Sequence, residues 1–242
     1  MGNQRYDIIL FDADRTLFDF DRAQRQALRE VYRANGIPDT DELLDWYVRV
    51  NNRLWARFDK GEITTGELTR VRFRIFLEET GISGCDPAVL NRQYLEALGT
   101  HGELFDGAEE LCRSLMPFCR LFIVTNGIAV SQRGRMERSP VRLCIERMFI
   151  SEEMGIGKPE AGYFQRVRDE LNLSRAQWER TVVVGDSLRS DILGGRNAGL
   201  DTIWYNPGKV ENPLKIIPTW EAASFSEVRA IILGENTEES GR

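Results

Sequence analysis

Residues 7–16 read Asp7-Ile8-Ile9-Leu10-Phe11-Asp12-Ala13-Asp14-Arg15-Thr16. An apolar run rich in Ile and closed by acidic residues predicts a strand buried on both faces, with its carboxylates delivered at the carboxyl end. Open α/β sheets hold their ligands at that end. Residues two apart on a strand point the same way, so Asp12 and Asp14 are expected to converge on one small volume. Like charges held that close repel, and the arrangement calls for a cation or a proton between them.

Outward from this stretch the pattern turns helical. Leu28, Val31 and Tyr32 mark one helical face that ends at Gly36-Ile37-Pro38. Leu43, Leu44, Tyr47, Val48, Leu54, Trp55 and Phe58 predict a second, long helix that stops at Lys60-Gly61. Thr64 followed by Glu67 has the spacing of a capping box and opens a third helix, and a fourth runs from about Pro87 to Leu98. No strand-like run interrupts them, so residues 18–100 read as a helical bundle inserted into a larger fold.

From Asp106-Gly107 onward, helix and strand alternate. The strand candidates are Leu121 to Thr125, Met148 to Ile150, Thr181 to Val184 and Asp201 to Tyr205. Helices are expected through Leu111 and Leu115, from Pro159 through Phe164 and Leu171, and from near Ser190. This succession predicts an α/β fold, a Rossmann-like parallel sheet with helices on both faces. The first strand must join that sheet to cover its apolar faces. The core is therefore assigned to residues 1–17 and 101–242, and the polar end from Glu235 to Arg242 is expected to fray.

The 42% hydrophobic and 29% charged shares are those of an ordinary globular protein. A formal net charge of -6 argues against a nucleic acid polymer as partner, while leaving room for a small anion at a local positive site. Cys85, Cys112, Cys119 and Cys144 show no metal-binding spacing and read as reduced thiols. With no apolar run of membrane-spanning length and a first strand soon after Met1, a cytoplasmic location without a membrane partner is expected. His101 is the single histidine, which removes most His-dependent mechanisms.

Four stretches fall just after predicted strands: Asp12-Ala13-Asp14-Arg15-Thr16, Thr125-Asn126-Gly127, Gly157-Lys158-Pro159, and Gly185-Asp186-Ser187-Leu188-Arg189-Ser190-Asp191. In this order they resemble the four motifs of the haloacid dehalogenase superfamily, and the helical insertion resembles that superfamily's cap. The resemblance implies Asp12 as a nucleophile that forms an aspartyl-phosphate, and Asp14 as the acid and base that serves the leaving group and then water. It implies Mg²⁺ held by Asp12, Asp186 and the backbone carbonyl of Asp14, with Asp191 behind them orienting the water shell or Lys158. Thr125, Asn126, Gly127 and Lys158 are implied to meet the phosphoryl group. Arg15 departs from the pattern, since many relatives carry Gly, Asn or Glu there.

Thr16-Leu17-Phe18-Asp19-Phe20-Asp21 is similar to the segment that leads into the cap of the pyrimidine 5'-nucleotidase subfamily. That resemblance implies a nucleoside 5'-monophosphate as substrate, with Phe20, Trp55 and Phe58 as aromatic residues able to stack on a base and Lys60 in a substrate-facing loop. The alternatives that share the motifs are a phosphatase of sugar phosphates or phosphoglycolate and a phosphomutase. A 2-haloacid dehalogenase usually lacks the second Asp, and a retired phospho-ligand binding protein would not keep the full motif set. A monomer and a homodimer are both compatible with the sequence.

Overall fold

The computed structural model describes residues 4–235, so residues 236–242 of the expected polar tail lie outside the described residues. Among the described residues no helix is long and apolar enough to cross a membrane. Six strands, β1 (Ile8–Phe11), β2 (Arg120–Thr125), β3 (Ile145–Ile150), β4 (Thr181–Gly185), β5 (Asp201–Tyr205) and β6 (Trp220–Ala222), form one sheet in the order β3-β2-β1-β4-β5-β6. Every pairing is parallel.

β1 lies at the centre because it is apolar on both sides. Its four residues are buried; Ile8 and Leu10 pack with Phe122, Val124, Val183, Tyr163 and Phe164, whereas Ile9 and Phe11 serve the other face. Helix Ala161–Glu170 supplies Tyr163, Phe164 and Val167 to the first of these layers, and helices lie on both sides of the sheet. Strand order reverses beside β1, which pairs with β2 on one edge and β4 on the other. Loops after β1, β2 and β4 therefore share one place, the switch point at which open parallel sheets open a crevice.

β6 and the last described helix are among the elements that escape the sequence pattern. β6 has three residues and an exposed edge, and the helix Phe225–Leu233 starts from the Ser224 cap, whose side chain accepts from Glu227 N. The helix expected near Ser190 is a wide, π-helical turn over Leu188–Leu193 continued by Gly194–Asn197.

The chain divides into two compact units. Residues 4–19, 104–127 and 139–235 make the α/β unit, and 20–103 with 128–138 make a helical one. In the helical unit, α1 (Phe20–Ala34), α2 (Asp41–Asp59), α3 (Thr65–Thr80) and α4 (Pro87–Leu98) enclose Tyr32, Tyr47, Phe73, Phe76 and Tyr94. Tyr47 stands 4.6 Å from Phe73 and 5.4 Å from Tyr94 between ring centroids, within the range of favourable aromatic pairs. The capping box at α3 is present, with Glu67 Oε2 accepting from Thr64 N at 2.8 Å and Thr64 Oγ1 accepting from Glu67 N at 3.2 Å. Helix Ala129–Arg138, which the strand and helix alternation groups with the sheet, packs with this unit instead. Glycines make that possible, since a Cβ on Gly134 would lie 2.7 Å from Gly99 O.

Candidate active site

Regular strand stops at Phe11, and Asp12 follows with its N–H still donated to Val184 O at 2.8 Å. The chain then folds back: Ala13 O accepts from Leu17 N and Phe18 N, and Arg15 N donates to Phe18 O at 2.9 Å. Arg15 sits in this turn at φ 61, left-handed backbone that suits the Gly or Asn of many relatives better than Arg. Half-buried Asp14 adds to the charges that push the Asp12 carboxyl upward. Asp12, Asp186 and Asp191 each offer an oxygen within 4.8 Å of the others.

Lys158 balances part of that charge. Its Nζ lies 2.6 Å from Asp12 Oδ1, 2.6 Å from Asp191 Oδ1 and 2.8 Å from Val124 O, so all three ammonium protons are donated. The residue is only 2% exposed. Burial works against the ammonium, but Asp12 and Asp191 outweigh it and hold Lys158 above the usual lysine range. Burial likewise pushes the Asp12 carboxyl upward, with Lys158 as the main opposing influence.

Asp191 reaches the centre through the wide turn after β4. Its Oδ2 accepts from Ser187 N at 3.0 Å, so both carboxylate oxygens are engaged within the protein. Gly185 lies directly beneath it, and a Cβ there would overlap the Asp191 carboxyl. Asp186 is left with its carboxylate toward Asp12 and its backbone O accepting from Trp204 Nε1 at 2.9 Å. Burial first, then the charge of Asp191, raises Asp186 to about 7 against the opposing charges of Arg15 and Lys158.

Two buried carboxylates on one ammonium, with half-buried Asp186 beside them, leave an excess of negative charge that a divalent cation would neutralise. The donors are all hard oxygens, which fits Mg²⁺. Asp12 and Asp186 are the available side-chain ligands, since Asp191 is committed to Lys158 and Ser187.

Thr125 ends β2 next to this cluster, 1% exposed, with its Oγ1 accepting from Gly127 N at 3.0 Å. Asn126 turns its carboxamide to the backbone of Lys158. Thr16 is a site residue that the sequence reading gave no role. Fully buried, its Oγ1 accepts from Asp186 N at 3.1 Å and stands 3.3 Å from Asp12 Oδ2 and 3.5 Å from Asp186 Oδ1. Its place four residues after Asp12 was the available signal; its tie to Asp186 spans 170 positions and had none.

The residues singled out in the helical insertion are occupied locally. Trp55 and Phe58 meet edge to face at 5.3 Å beside Val50, Leu54 and Leu68, Phe20 packs against the aromatic core, and Lys60 is an exposed helix end. His101 Nε2 lies 2.8 Å from Glu30 Oε1.

The sequence matches haloacid dehalogenase-like hydrolase over residues 6–199. It is 35% identical to pyrimidine 5'-nucleotidase PynA of Streptococcus pneumoniae, covering 92% of this chain and 93% of the relative. It is 34% identical to pyrimidine 5'-nucleotidase YjjG of Escherichia coli, covering 94% and 98%. The crystal structure of the HAD-hydrolase YfnB from Bacillus subtilis, bound to magnesium, superposes with a TM-score of 0.87 at 37% identity over 95% of this chain and 99% of that one. The chain belongs to the haloacid dehalogenase-like hydrolase family and is an enzyme of that family.

Proposed function

We propose that this protein is a Mg²⁺-dependent phosphatase that hydrolyses nucleoside 5'-monophosphates through an aspartyl-phosphate on Asp12. The observation that carries the reading is the buried Asp12 carboxylate, held by Lys158 on one oxygen and facing Thr16 and the Asp186 carboxylate on the other side. The names of PynA and YjjG, matched over nearly the whole chain, support the substrate class.

In this mechanism the Asp12 carboxylate attacks phosphorus in line, and the bond from phosphorus to the ester oxygen breaks. Asp14, two residues on from the nucleophile, gives its proton to the departing alkoxide. It then takes a proton from the water that attacks the aspartyl-phosphate, which releases inorganic phosphate and restores Asp12. Thr125, Asn126 and Gly127 at the end of β2 meet the phosphoryl oxygens, and Lys158 supplies fixed positive charge. Asp12, Asp186 and the Asp14 carbonyl would hold Mg²⁺, which would supply Lewis-acid charge against the repulsion between carboxylate and phosphate. The helical insertion, residues 18–100 by sequence pattern, is read as the cap that selects the substrate.

The test is hydrolysis of a panel comprising UMP, dUMP, dTMP, purine nucleotides, sugar phosphates and phosphoglycolate, with Mg²⁺ and with EDTA. Pyrimidine monophosphates are expected to turn over fastest, and only with the metal. Equal rates in EDTA would remove the metal from the mechanism. Sugar phosphates outpacing every nucleotide would overturn the substrate class while leaving the chemistry in place.

A further inference from the structure

Asn126 spends its whole carboxamide on one residue. Nδ2 donates to Lys158 O at 2.8 Å, and Oδ1 accepts from Lys158 N at 3.0 Å. Exchanging both bonds with the N–H and C=O of a single residue imitates a hydrogen-bonded pair of an antiparallel ladder, and it fixes that residue against sliding and rotation. Lys158 is the residue whose placement matters most here. Its ammonium sits on a flexible four-carbon stem, and it must meet Asp12 Oδ1, Asp191 Oδ1 and Val124 O together. The clamp also joins the end of β2, where Thr125 lies, to the segment after β3 that carries the lysine.

The neighbouring glycine is shaped to this contact. A Cβ on Gly157 would lie 2.7 Å from Asn126 Oδ1 and 3.0 Å from Ser151 Cβ, both tighter than ordinary packing allows. Gly157 is therefore what lets the carboxamide close onto the Lys158 backbone. A phosphate-binding place at Asn126 uses its backbone N–H, so the side chain is free for separate work.

We propose that Asn126 is a positioning residue whose carboxamide clamps the Lys158 backbone and thereby holds the Lys158 ammonium against Asp12. This role rests on the phosphatase reading above, in which Lys158 serves the reaction at Asp12.

A double-mutant cycle on the full chain tests it, with p-nitrophenyl phosphate and Mg²⁺ as the assay and thermal unfolding run in parallel. Asn126→Ala is expected to lower kcat by about 10- to 100-fold, the scale of a displacement near 1 Å in a catalytic group, with KM changed far less. In a Lys158→Ala background the same substitution is expected to cost less than about twofold, because its effect passes through the ammonium. Gly157→Ala leaves the amide in the chain but pushes it aside, and it should reproduce both results. Equal losses in the two backgrounds, a loss confined to KM, or wild-type kcat in both Asn126→Ala and Gly157→Ala would each overturn the positioning role. An unchanged kcat in Lys158→Ala alone would remove Lys158 from the reaction, and the positioning role with it, whereas no turnover of p-nitrophenyl phosphate by the unaltered chain would overturn the phosphatase reading itself.

Discussion

Lys158 Nζ and Asp12 Oδ1 are 2.6 Å apart and buried together, with the same ammonium 2.6 Å from Asp191 Oδ1. Removing one partner of a buried pair leaves uncompensated charge and typically costs about 3–5 kcal/mol. Lys158→Met, which keeps the length and apolar stem, is therefore expected to destabilise the metal-free protein by roughly that amount at neutral pH. The loss should shrink as pH falls, because Asp12, whose carboxyl burial pushes upward, then takes up a proton and no longer needs the ammonium. Urea unfolding at pH 5 and pH 8 without Mg²⁺ measures both effects. A penalty that is equal at the two pH values would contradict the charge argument. Turnover should fall by roughly 10²–10³-fold, the usual cost of losing one preorganised electrostatic group.

Thr16 has one hydroxyl proton to share between Asp12 Oδ2 and Asp186 Oδ1, while its oxygen accepts the Asp186 N–H. Thr16→Val keeps the shape and deletes these bonds. The Asp186 N–H loses its acceptor, at a cost of about 1–3 kcal/mol. Groups that orient metal ligands typically contribute about 10- to 100-fold to affinity, so Mg²⁺ binding measured by calorimetry should weaken by that factor. Thr16→Ser, which keeps the hydroxyl, should restore most of it. Wild-type Mg²⁺ affinity in Thr16→Val would dismiss Thr16 as an organiser of the carboxylates.

How much of this was legible in the sequence depends on the range of the signal. The buried strand Ile8–Phe11 and the strand ends that carry Thr125 and Asp186 follow from local apolar runs, and the capping box at Thr64 and Glu67 from spacing alone. The gathering of Asp186 and Asp191 around Asp12 joins residues more than 170 positions apart, which no local pattern records. β6 and the helix Phe225–Leu233 escape the pattern because a three-residue edge strand and a nine-residue helix are each too short for a firm period. The grouping of helix Ala129–Arg138 with the helical unit depends on the contact of Gly134 with Gly99, which no periodicity records.

The raised Asp186 carboxyl gives the metal response a pH signature. Its folded value of about 7 stands above the ordinary 3.8, so between these limits the folded chain holds a proton that the unfolded chain has released. The stabilisation from that proton is complete below the ordinary value and is lost as pH rises through about 7. Mg²⁺ binds the deprotonated carboxylate, so its binding releases a proton below that point and meets no such competition above it. The increase in Tm produced by a fixed Mg²⁺ concentration is therefore expected to be larger at pH 8 than at pH 6. An increase that is independent of pH, or larger at pH 6, would show that Asp186 does not hold the ion.

Gly185 closes β4 directly under Asp191, and the group that a Cβ would overlap there has no freedom to retreat. Asp191 is fully buried, with Oδ1 on Lys158 and Oδ2 on Ser187 N. Gly185→Ala must therefore displace the carboxylate or the wide turn Leu188–Leu193 that carries it. Overpacking of this kind costs about 1–3 kcal/mol, and for a chain of this size each kcal/mol lowers Tm by roughly 2–4 °C. Turnover should fall as well, because the Lys158 ammonium loses one of the two carboxylates that fix it. Asp191→Asn separates the causes: it keeps the volume on Gly185 but removes the charge and turns one acceptor into a donor, so Lys158 Nζ or Ser187 N–H loses its partner and Lys158 is held less firmly without overpacking. If Gly185→Ala unfolds at the wild-type temperature and turns over at the wild-type rate, the close packing of Asp191 on Gly185 is not what places the carboxylate.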